Sequence, residues 1–340
     1  MKGTALIEIE DLSLHYKVED GWVRAVDDVS ISIERGRTYG LVGESGCGKT
    51  TVAWAITQLL PPNAHILGGS VLFDETDLLG ASRKSDGTLD DFNEEIRKVR
   101  WKEISMIFQG AMDALNPVQT VGSQIEEAVL THEDVTDEEA RQKGLEVFDI
   151  VGIPEDRYDS YPHEYSGGMR QRAMIAMALV LNPSVLIADE PTTALDVIMQ
   201  DRILGEIKKL QDKYNIAMII ITHDISVVAE TSDEIFVMYA GKIVETGKTR
   251  DVFKTPSHPY TEGLLGSFPS ITGPKRQLVS IPGNPPDLVS PPSACRFHPR
   301  CRYAKDICRE VEPEMVTLAT GQRSACHFAE ELFGKMGVAK

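Results

Sequence analysis

A glycine-rich octapeptide carries the first residues that could do chemistry. Its sequence, GESGCGKT, fits the pattern G-x-x-x-x-G-K-[ST]. The glycines let the backbone wrap tightly, so that its N–H groups face one concavity that suits a phosphate. Lys49 adds a mobile positive charge for the β- and γ-phosphates, and the Thr50 hydroxyl is a hard oxygen ligand for Mg²⁺. With the next residue, the expected ATP-binding set is Gly43, Glu44, Ser45, Gly46, Cys47, Gly48, Lys49, Thr50 and Thr51.

Two acidic residues after a second apolar run could complete that site. Asp189 and Glu190 follow the apolar residues 185–188, which are typical of a strand buried on both faces of a parallel sheet. Asp189 could hold Mg²⁺ through water, and Glu190 could polarise an attacking water. His223 follows a third apolar run, in the triplet Thr-His-Asp, and is a candidate to contact the γ-phosphate.

A second helix start could bind an anion. Ser166, Gly167 and Gly168 precede a helical pattern, where serine is a good cap and glycines expose backbone N–H groups. The glycine-rich loop already holds the phosphates of this chain. We therefore expect this helix start to bind the γ-phosphate of a nucleotide held by another chain.

The elements that must position these residues alternate in type. Residues 39–42 form an apolar run before the glycine-rich loop, and TVAWAITQLL after it has helical spacing up to Pro61. Strand, loop and helix is the context that the phosphate motif requires. The pattern predicts an α/β fold with its ligand at the carboxyl edge of a parallel sheet.

The net charge and the lengths of the apolar runs limit the possible partners and location of the chain. The net charge of −17 disfavours nucleic acid as a partner, because such binders need a basic surface. No apolar run approaches the roughly 20 residues that span a bilayer. The N-terminus has no apolar signal core, so we expect a cytoplasmic location.

Four of the five cysteines lie in the last fifty residues. Their spacing is C-x5-C-x6-C-x17-C, across Cys295, Cys301, Cys308 and Cys326. Stable disulfides are not expected in the cytoplasm, whereas four thiolates can hold Zn²⁺ or an iron–sulfur cluster. The spacing matches no common zinc or ferredoxin pattern, so it leaves zinc, an iron–sulfur cluster and free thiols open. His298 and His327 are possible substitute ligands.

The order and spacing of these motifs resemble the nucleotide-binding domains of ABC transporters. The motifs are the glycine-rich loop, SGGMRQR, LIADEP, TALD and THD, and the match covers about residues 5–250. The resemblance implies a P-loop NTPase with a RecA-like core, an antiparallel β subdomain and a helical subdomain at about 110–180. The sequence departs from the family pattern on either side of the signature Ser166-Gly167-Gly168. Tyr165 and Met169 stand where the family usually has leucine and glutamine.

The resemblance also implies roles for individual residues. Tyr16 would stack on adenine, Gln109 would touch Mg²⁺ or the attacking water, and Asp196 would cross a dimer interface. Glu190 would be the general base and His223 the switch histidine. The implied catalytic residues are Lys49, Gln109, Glu190 and His223, and the implied Mg²⁺ ligands are Thr50, Gln109 and Asp189.

Three further stretches narrow the resemblance to the ATPase subunits of oligopeptide and dipeptide importers. They are FQGAMDALNPVQTVGSQI, HPYTEGLLGSFP and IPGNPPDLVSPPSACRFHPRC. That branch implies a paralogous ATPase partner, two transmembrane permeases and a separate extracellular solute-binding protein, at the cytoplasmic face of the membrane. It also favours a [4Fe–4S] cluster at the four cysteines, in a mainly structural role, with Zn²⁺ as the alternative.

The expected division is a nucleotide-binding domain over residues 1–255 and a cysteine-bearing extension over 256–340. Dense proline limits helix in that extension, so we expect its order to come from a metal. Two rival functions remain at this point. One is a soluble ABC ATPase without a permease, acting on nucleic acid or as a motor, and the other is the separate ATPase of an exporter.

Overall fold

The computed structural model describes residues 5–90, 93–108, 114–191, 197–267 and 281–335. The chain divides into two units. The helical unit comprises Glu34–Arg37 and the described residues of Phe92–Ile220. The sheet unit comprises Ala5–Ile33 and the described residues of Thr38–Asp91 and Ile221–Lys340. Two of the residues named above, Gln109 and Asp196, lie outside the described residues.

Most of the helical unit is helix around three short strands. The described elements are α3 (Glu94–Val99), β6 (Ile104–Ile107), α4 (Val121–His132), α5 (Asp137–Ile150), short 3-10 helices at Glu155–Arg157 and Pro162–Glu164, α6 (Gly167–Leu179), β7 (Val185–Asp189), α7 (Val197–Tyr214) and β8 (Ala217–Ile221). The strand order is β8-β7-β6, and β6 pairs with β7 in parallel. Every residue of the three strands is buried, as apolar runs in a parallel sheet require.

Local signals set the ends of these helices. The Thr136 hydroxyl accepts from the N–H of Glu139 at 3.3 Å, and the Glu139 carboxylate accepts from the N–H of Thr136 at 2.9 Å. This reciprocal pair is a capping box at the N-terminus of α5. It satisfies backbone N–H groups that have no hydrogen-bond acceptor within the helix. The apolar residues 173–179 form the buried second half of α6, which ends at Leu179.

The sheet unit contains two groups of strands. Its described elements are β1 (Ala5–Val18), β2 (Gly21–Glu34), β3 (Thr38–Val42), α1 (Lys49–Thr57), β4 (Ala64–Phe73), β5 (Thr76–Asp77), α2 (Leu78–Ser82), α8 (Ile225–Thr231), β9 (Glu234–Tyr239), β10 (Lys242–Lys248), α9 (Thr249–Lys254), α10 (Pro259–Gly266), a 3-10 turn at His298–Arg300, α11 (Ile307–Glu310), β11 (Val316–Thr317), β12 (Arg323–Ser324) and α12 (Ala329–Leu332). The strand orders are β2-β1-β4-β5 and β11-β12-β10-β9-β3.

A bulge in β1 keeps its apolar residues on one face. Ile7 and Ile9 are buried at odd positions, whereas Leu12 and Leu14 are buried at even positions. Between them Asp11 has φ 48°, and the register against β4 shifts. The extra residue restores the alternation that a regular strand would have lost.

The C-terminal extension packs into the hydrophobic core of the sheet unit. Phe297 is 4% exposed and packs edge-on against Tyr239 and Tyr260, and β12 pairs with β10. Aromatic packing and strand pairing therefore order this segment, and the contribution that we expect from a metal would add to them. No helix among the described residues is long and apolar enough to cross a bilayer.

Candidate functional site

The glycine-rich loop lies between β3 and α1 in the sheet unit, as predicted. Gly43 has φ 156° and Gly48 has φ 110°, and a Cβ at either position would overlap a carbonyl oxygen, of Met238 and Ala25 respectively. Glycine is therefore required at both positions by the backbone conformation and by the close approach of neighbouring strands. Helix α1 begins at Lys49, so its N-terminal N–H groups are available to an anion at this loop.

Lys49 donates hydrogen bonds to carbonyl groups of its own loop. Its side chain is buried, and its Nζ donates to the oxygens of Gly43 and Glu44 at 2.8 and 2.9 Å. Burial raises the pKa of the neighbouring Cys47, which stays a neutral thiol packed inside the loop. Cys47 is therefore explained by the loop and is separate from the C-terminal cysteines.

Two more predicted residues lie in the sheet unit. The Tyr16 hydroxyl bonds to the Thr51 hydroxyl at 3.1 Å, so this tyrosine reaches the first turn of α1. His223 is exposed in the three-residue connection between β8 and α8, and Asp224 caps α8 by accepting from the N–H of Ser226 at 2.9 Å. Tyr16 thus lies two residues before the end of β1, and His223 lies in a connection, so each side chain can meet a ligand.

Helix α1 ends earlier than predicted. The expected helix extends to Leu60, but α1 ends at Thr57 because Gln58 adopts φ 54°. The buried Gln58 side chain bonds to the carbonyl of Leu78 and to Ser82. These long-range hydrogen bonds fix a left-handed residue that local sequence does not predict.

The acidic pair lies at the end of β7 in the helical unit. Asp189 is 1% exposed and is the last residue of the strand, and Glu190 has φ 50°. This left-handed conformation turns the chain sharply at the second carboxylate. The following Pro191 carbonyl accepts from the buried Gln171 side chain at 2.6 Å, so α6 fixes the turn. Sequence reasoning did not single out Gln171.

The signature segment begins α6. The Ser166 side chain is exposed and accepts from the N–H of Met169 at 3.3 Å, as a helix cap does. Gly167 and Gly168 form the first turn. Tyr165 is buried, and its hydroxyl donates to the Arg157 carbonyl at 2.7 Å. The atypical tyrosine thus packs inward and leaves the cap and the glycines accessible.

The C-terminal cysteines are all free thiols, and they share one cavity. Within the described part of the chain, no group of three or more His, Cys, Asp or Glu side chains has the arrangement of a metal site. Burial raises the pKa of Cys301 to about 11 and of Cys326 to about 12, and the neighbouring thiols add to both shifts. The cysteines and histidines that line the cavity are Cys295, Cys301, Cys308, Cys326, His258, His298 and His327.

Two side chains that sequence reasoning missed reach the glycine-rich loop from the C-terminal region. The Tyr260 hydroxyl accepts from the N–H of Glu44 at 2.8 Å, and Arg300 forms an ion pair with the Glu44 carboxylate. In the sequence, both residues lie in stretches typical of the importer branch. That resemblance does not indicate that either residue contacts Glu44.

The comparisons with known proteins match both parts of the chain. The family model "ABC transporter" matches residues 26–193, and "Oligopeptide/dipeptide transporter, C-terminal region" matches residues 244–308. A solved dimeric ATP-binding cassette in a post-hydrolysis state with ADP and Pi has a TM-score of 0.63 and 28% identity, covering 72% of this chain and 99% of its own.

Curated relatives match over almost the whole chain. The oligopeptide transport ATP-binding protein OppD of Bacillus subtilis (strain 168) is 46% identical, covering 92% of this chain and 86% of the relative. The dipeptide transport ATP-binding protein DppD of Escherichia coli (strain K12) is 43% identical, covering 95% and 97%. With the cassette fold and both family matches, these identities show that the chain belongs to the ABC transporter ATP-binding subunits of the oligopeptide and dipeptide importer family.

Proposed function

We propose that this chain binds and hydrolyses ATP as a subunit of a membrane ABC importer for oligopeptides, dipeptides or related solutes. The observation that carries the proposal is that one chain joins an ABC cassette to the C-terminal region typical of peptide transporters. Relatives that match more than nine-tenths of this chain are named for oligopeptide or dipeptide transport. The permease and the solute-binding protein would select the solute.

The residues have separate roles in this proposal. The glycine-rich loop and the start of α1 bind the phosphates, Tyr16 stacks on adenine, and Lys49 moves from its loop carbonyls to the β- and γ-phosphates. Glu190 accepts the proton of the attacking water, and His223 contacts the γ-phosphate.

The oxygen donors of Thr50 and Asp189 suit Mg²⁺, which prefers hard ligands. Asp189 is the last residue of β7, and open α/β sheets bind ligands at the carboxyl ends of their strands. Together with Gln109, these residues would hold Mg²⁺, which neutralises phosphate charge when bound.

The proposed assembly contains two ATPase subunits, two transmembrane permeases and an extracellular solute-binding protein. Ser166, Gly167, Gly168 and Asp196 of one ATPase subunit would complete the nucleotide site of the other, which we expect to be a paralogue. The complex would lie at the cytoplasmic face of the membrane and would involve no nucleic acid. Closing of the ATPase pair around ATP would drive the permeases between their inward- and outward-facing states.

The test uses the full chain and its Glu190→Gln variant, each combined with the paralogous ATPase subunit. Phosphate release from ATP should fall about 100-fold or more in the variant, because the amide cannot accept the proton. Gel filtration should show an ATP-dependent dimer that persists. The matched control is Glu155→Gln, which alters an exposed carboxylate in a turn. Hydrolysis at the wild-type rate in Glu190→Gln would contradict the role of Glu190.

Membrane association has its own experiment. A tagged chain purified from its own host's membranes should retain two integral membrane proteins. Recovery without any integral membrane protein would favour the soluble ABC ATPase instead.

We further propose that Cys295, Cys301, Cys308 and Cys326 hold a [4Fe–4S] cluster, with Zn²⁺ as the alternative. The support is that four buried or half-buried free thiols line one cavity, and thiolate is a preferred ligand of both groups. When bound, the metal would mainly stabilise the extension.

Protein prepared without oxygen tests the identity of the metal. Iron and sulfide in the protein, with broad visible absorbance that is lost in the Cys295→Ser/Cys301→Ser double variant, would support the cluster. Colourless protein with stoichiometric zinc would support the alternative, and colourless protein without metal would overturn both.

A further inference from the structure

Arg300 and Glu44 form a two-pronged ion pair within the sheet unit. Arg300 donates from Nη1 to Glu44 Oε2 at 2.6 Å and from Nη2 to Oε1 at 2.9 Å. The Arg300 side chain is 6% exposed and that of Glu44 is 24% exposed. Because a fork of two parallel charge-assisted hydrogen bonds in a water-poor setting is both strong and directional, this pair fixes the position of Glu44.

The Arg300 guanidinium is itself anchored. Its Nε donates to the Pro282 carbonyl at 2.8 Å, and its Nη1 lies 3.4 Å from the Tyr239 hydroxyl. Tyr239 is 1% exposed at the end of β9. The guanidinium therefore holds Glu44 against a rigid part of the sheet unit.

A second contact holds the same loop residue. Tyr260, which is fully buried at the start of α10, accepts from the backbone N–H of Glu44 at 2.8 Å. The Tyr260 ring packs against Tyr239 and Phe297, at centroid distances of 4.6 and 5.5 Å. Both the side chain and the backbone of Glu44 are thus held by residues outside the loop.

The anchor of Glu44 is built into the cysteine-bearing segment. Arg300 ends a single 3-10 turn that lies between Cys295 and Cys301. The N–H of His298 donates to the Cys295 carbonyl at 3.0 Å, and the N–H of Cys301 donates to the His298 carbonyl at 3.3 Å. A change in the order of either cysteine therefore displaces the backbone that carries Arg300.

We propose that Arg300 is a positioning residue of the nucleotide site, and that its ion pair with Glu44 couples the order of the cysteine-bearing segment to nucleotide affinity. The inference rests on the proposed ATP site in the glycine-rich loop. Arg300 touches no substrate atom, and it acts by keeping the loop in the shape that receives phosphates. Because coupling between two sites is reciprocal, a bound nucleotide also orders the cysteine-bearing segment.

Calorimetric titration with Mg²⁺ and ADP tests the first half of the proposal on the full chain. Arg300→Met keeps an apolar stem and removes the fork, and we expect about tenfold weaker binding. The matched control is Arg302→Met, since Arg302 also adjoins Cys301 but pairs with Glu262 instead. The KM for ATP should rise by a similar factor in Arg300→Met while kcat stays within about twofold.

Hydrogen–deuterium exchange in residues 295–308 tests the second half. Saturating ADP should slow exchange there in the wild type and in Arg302→Met, but not in Arg300→Met. If Arg300→Met does not fold, Glu44→Gln removes the negative charge of the same ion pair. This variant should also show no slowing of exchange by ADP.

The outcomes separate this inference from the proposed function. A wild-type chain that binds no nucleotide would overturn the ATP site and, with it, this inference. A wild-type chain that binds ADP, with Arg300→Met and Glu44→Gln binding equally well, would overturn only the role of Arg300. Equal weakening in Arg302→Met would also overturn it, because the effect would then come from general loosening of the segment.

Discussion

The Lys49 ammonium donates to the Gly43 carbonyl at 2.8 Å, within its own loop. A second loop carbonyl, that of Glu44, accepts at 2.9 Å. A buried ammonium needs such acceptors, because a charge without partners in a water-poor site is costly. The loop thus holds the lysine next to the concavity that a phosphate would enter.

Replacing Lys49 with methionine should separate binding from stability. ATP hydrolysis should fall about 100-fold or more, because the charge that faces the phosphates is lost. The free energy of unfolding should change by about 1.5–3 kcal/mol, the net value of a hydrogen bond to a charged group. Phosphate release and urea unfolding measure the two quantities, with the exposed Lys102→Met as control. A fully active Lys49→Met would contradict the assignment.

Two glycines of the loop should differ in their tolerance of alanine. Gly46→Ala costs about 1–2 kcal/mol for its left-handed φ of 78°, and its Cβ meets no atom within 4 Å. Gly48→Ala has a similar backbone cost, and its Cβ would also lie 2.0 Å from the Ala25 carbonyl oxygen. We expect Gly48→Ala to be less stable than Gly46→Ala by at least about 2 kcal/mol, because an overlap with backbone forces a shift. Urea unfolding measures the stability of both variants. Equal losses of unfolding free energy would mean that the loop relaxes around the added Cβ at Gly48.

Tyr165 beside the signature should matter for stability and not for catalysis. Its buried hydroxyl donates to the Arg157 carbonyl at 2.7 Å. Tyr165→Phe should lower the free energy of unfolding by about 1 kcal/mol, the net value of one hydrogen bond. Its rate of ATP hydrolysis should stay that of the wild type, since Ser166 and the glycines keep the helix start. A large loss of activity in a folded variant would show that the atypical tyrosine acts on the site.

Acid should weaken the sheet unit through His258. Complete burial lowers the pKa of His258 to about 3, and its Nδ1 accepts from the N–H of Tyr260. The folded chain keeps this histidine neutral, whereas the unfolded chain protonates it below about pH 6.5. Its contribution is therefore complete above pH 6.5 and is lost as the pH falls toward 3. Between pH 7 and pH 5 the loss should be about 2 kcal/mol.

The His258→Asn variant isolates that contribution. Asparagine is also a good helix cap, but it does not titrate. The change in unfolding free energy between pH 7 and pH 5 should be smaller in the variant by the amount given above. Both proteins contain the same cysteines and carboxylates, so other titrations cancel in the comparison. Equal pH dependence in the two proteins would mean that His258 accepts a proton in the folded state.

Some structure follows directly from local sequence. The apolar runs before the glycine-rich loop and before Asp189 form the buried strands β3 and β7, and Ser166 caps α6 as its residue type predicts. Adjacent residues carry these signals, because a strand needs a short apolar run and a cap needs one side chain at the first turn. The predicted end of α1 was wrong, because it depends on a distant partner. The Gln58 side chain bonds to the carbonyl of Leu78, and Gln58 ends the helix.

The sequence by itself determined the type of protein, since the phosphate loop, the signature, the acidic pair and the peptide-transporter tail are each recognisable from contiguous residues. Only the tertiary structure decided that the tail supports the loop. Arg300 and Glu44 are 256 positions apart, and neither residue type nor spacing indicates that they pair. Their contact depends on how β3, β9 and the 3-10 turn at His298–Arg300 pack around Tyr239 and Tyr260. Such packing is a property of the folded core, because it forms only when distant segments bury their apolar side chains together.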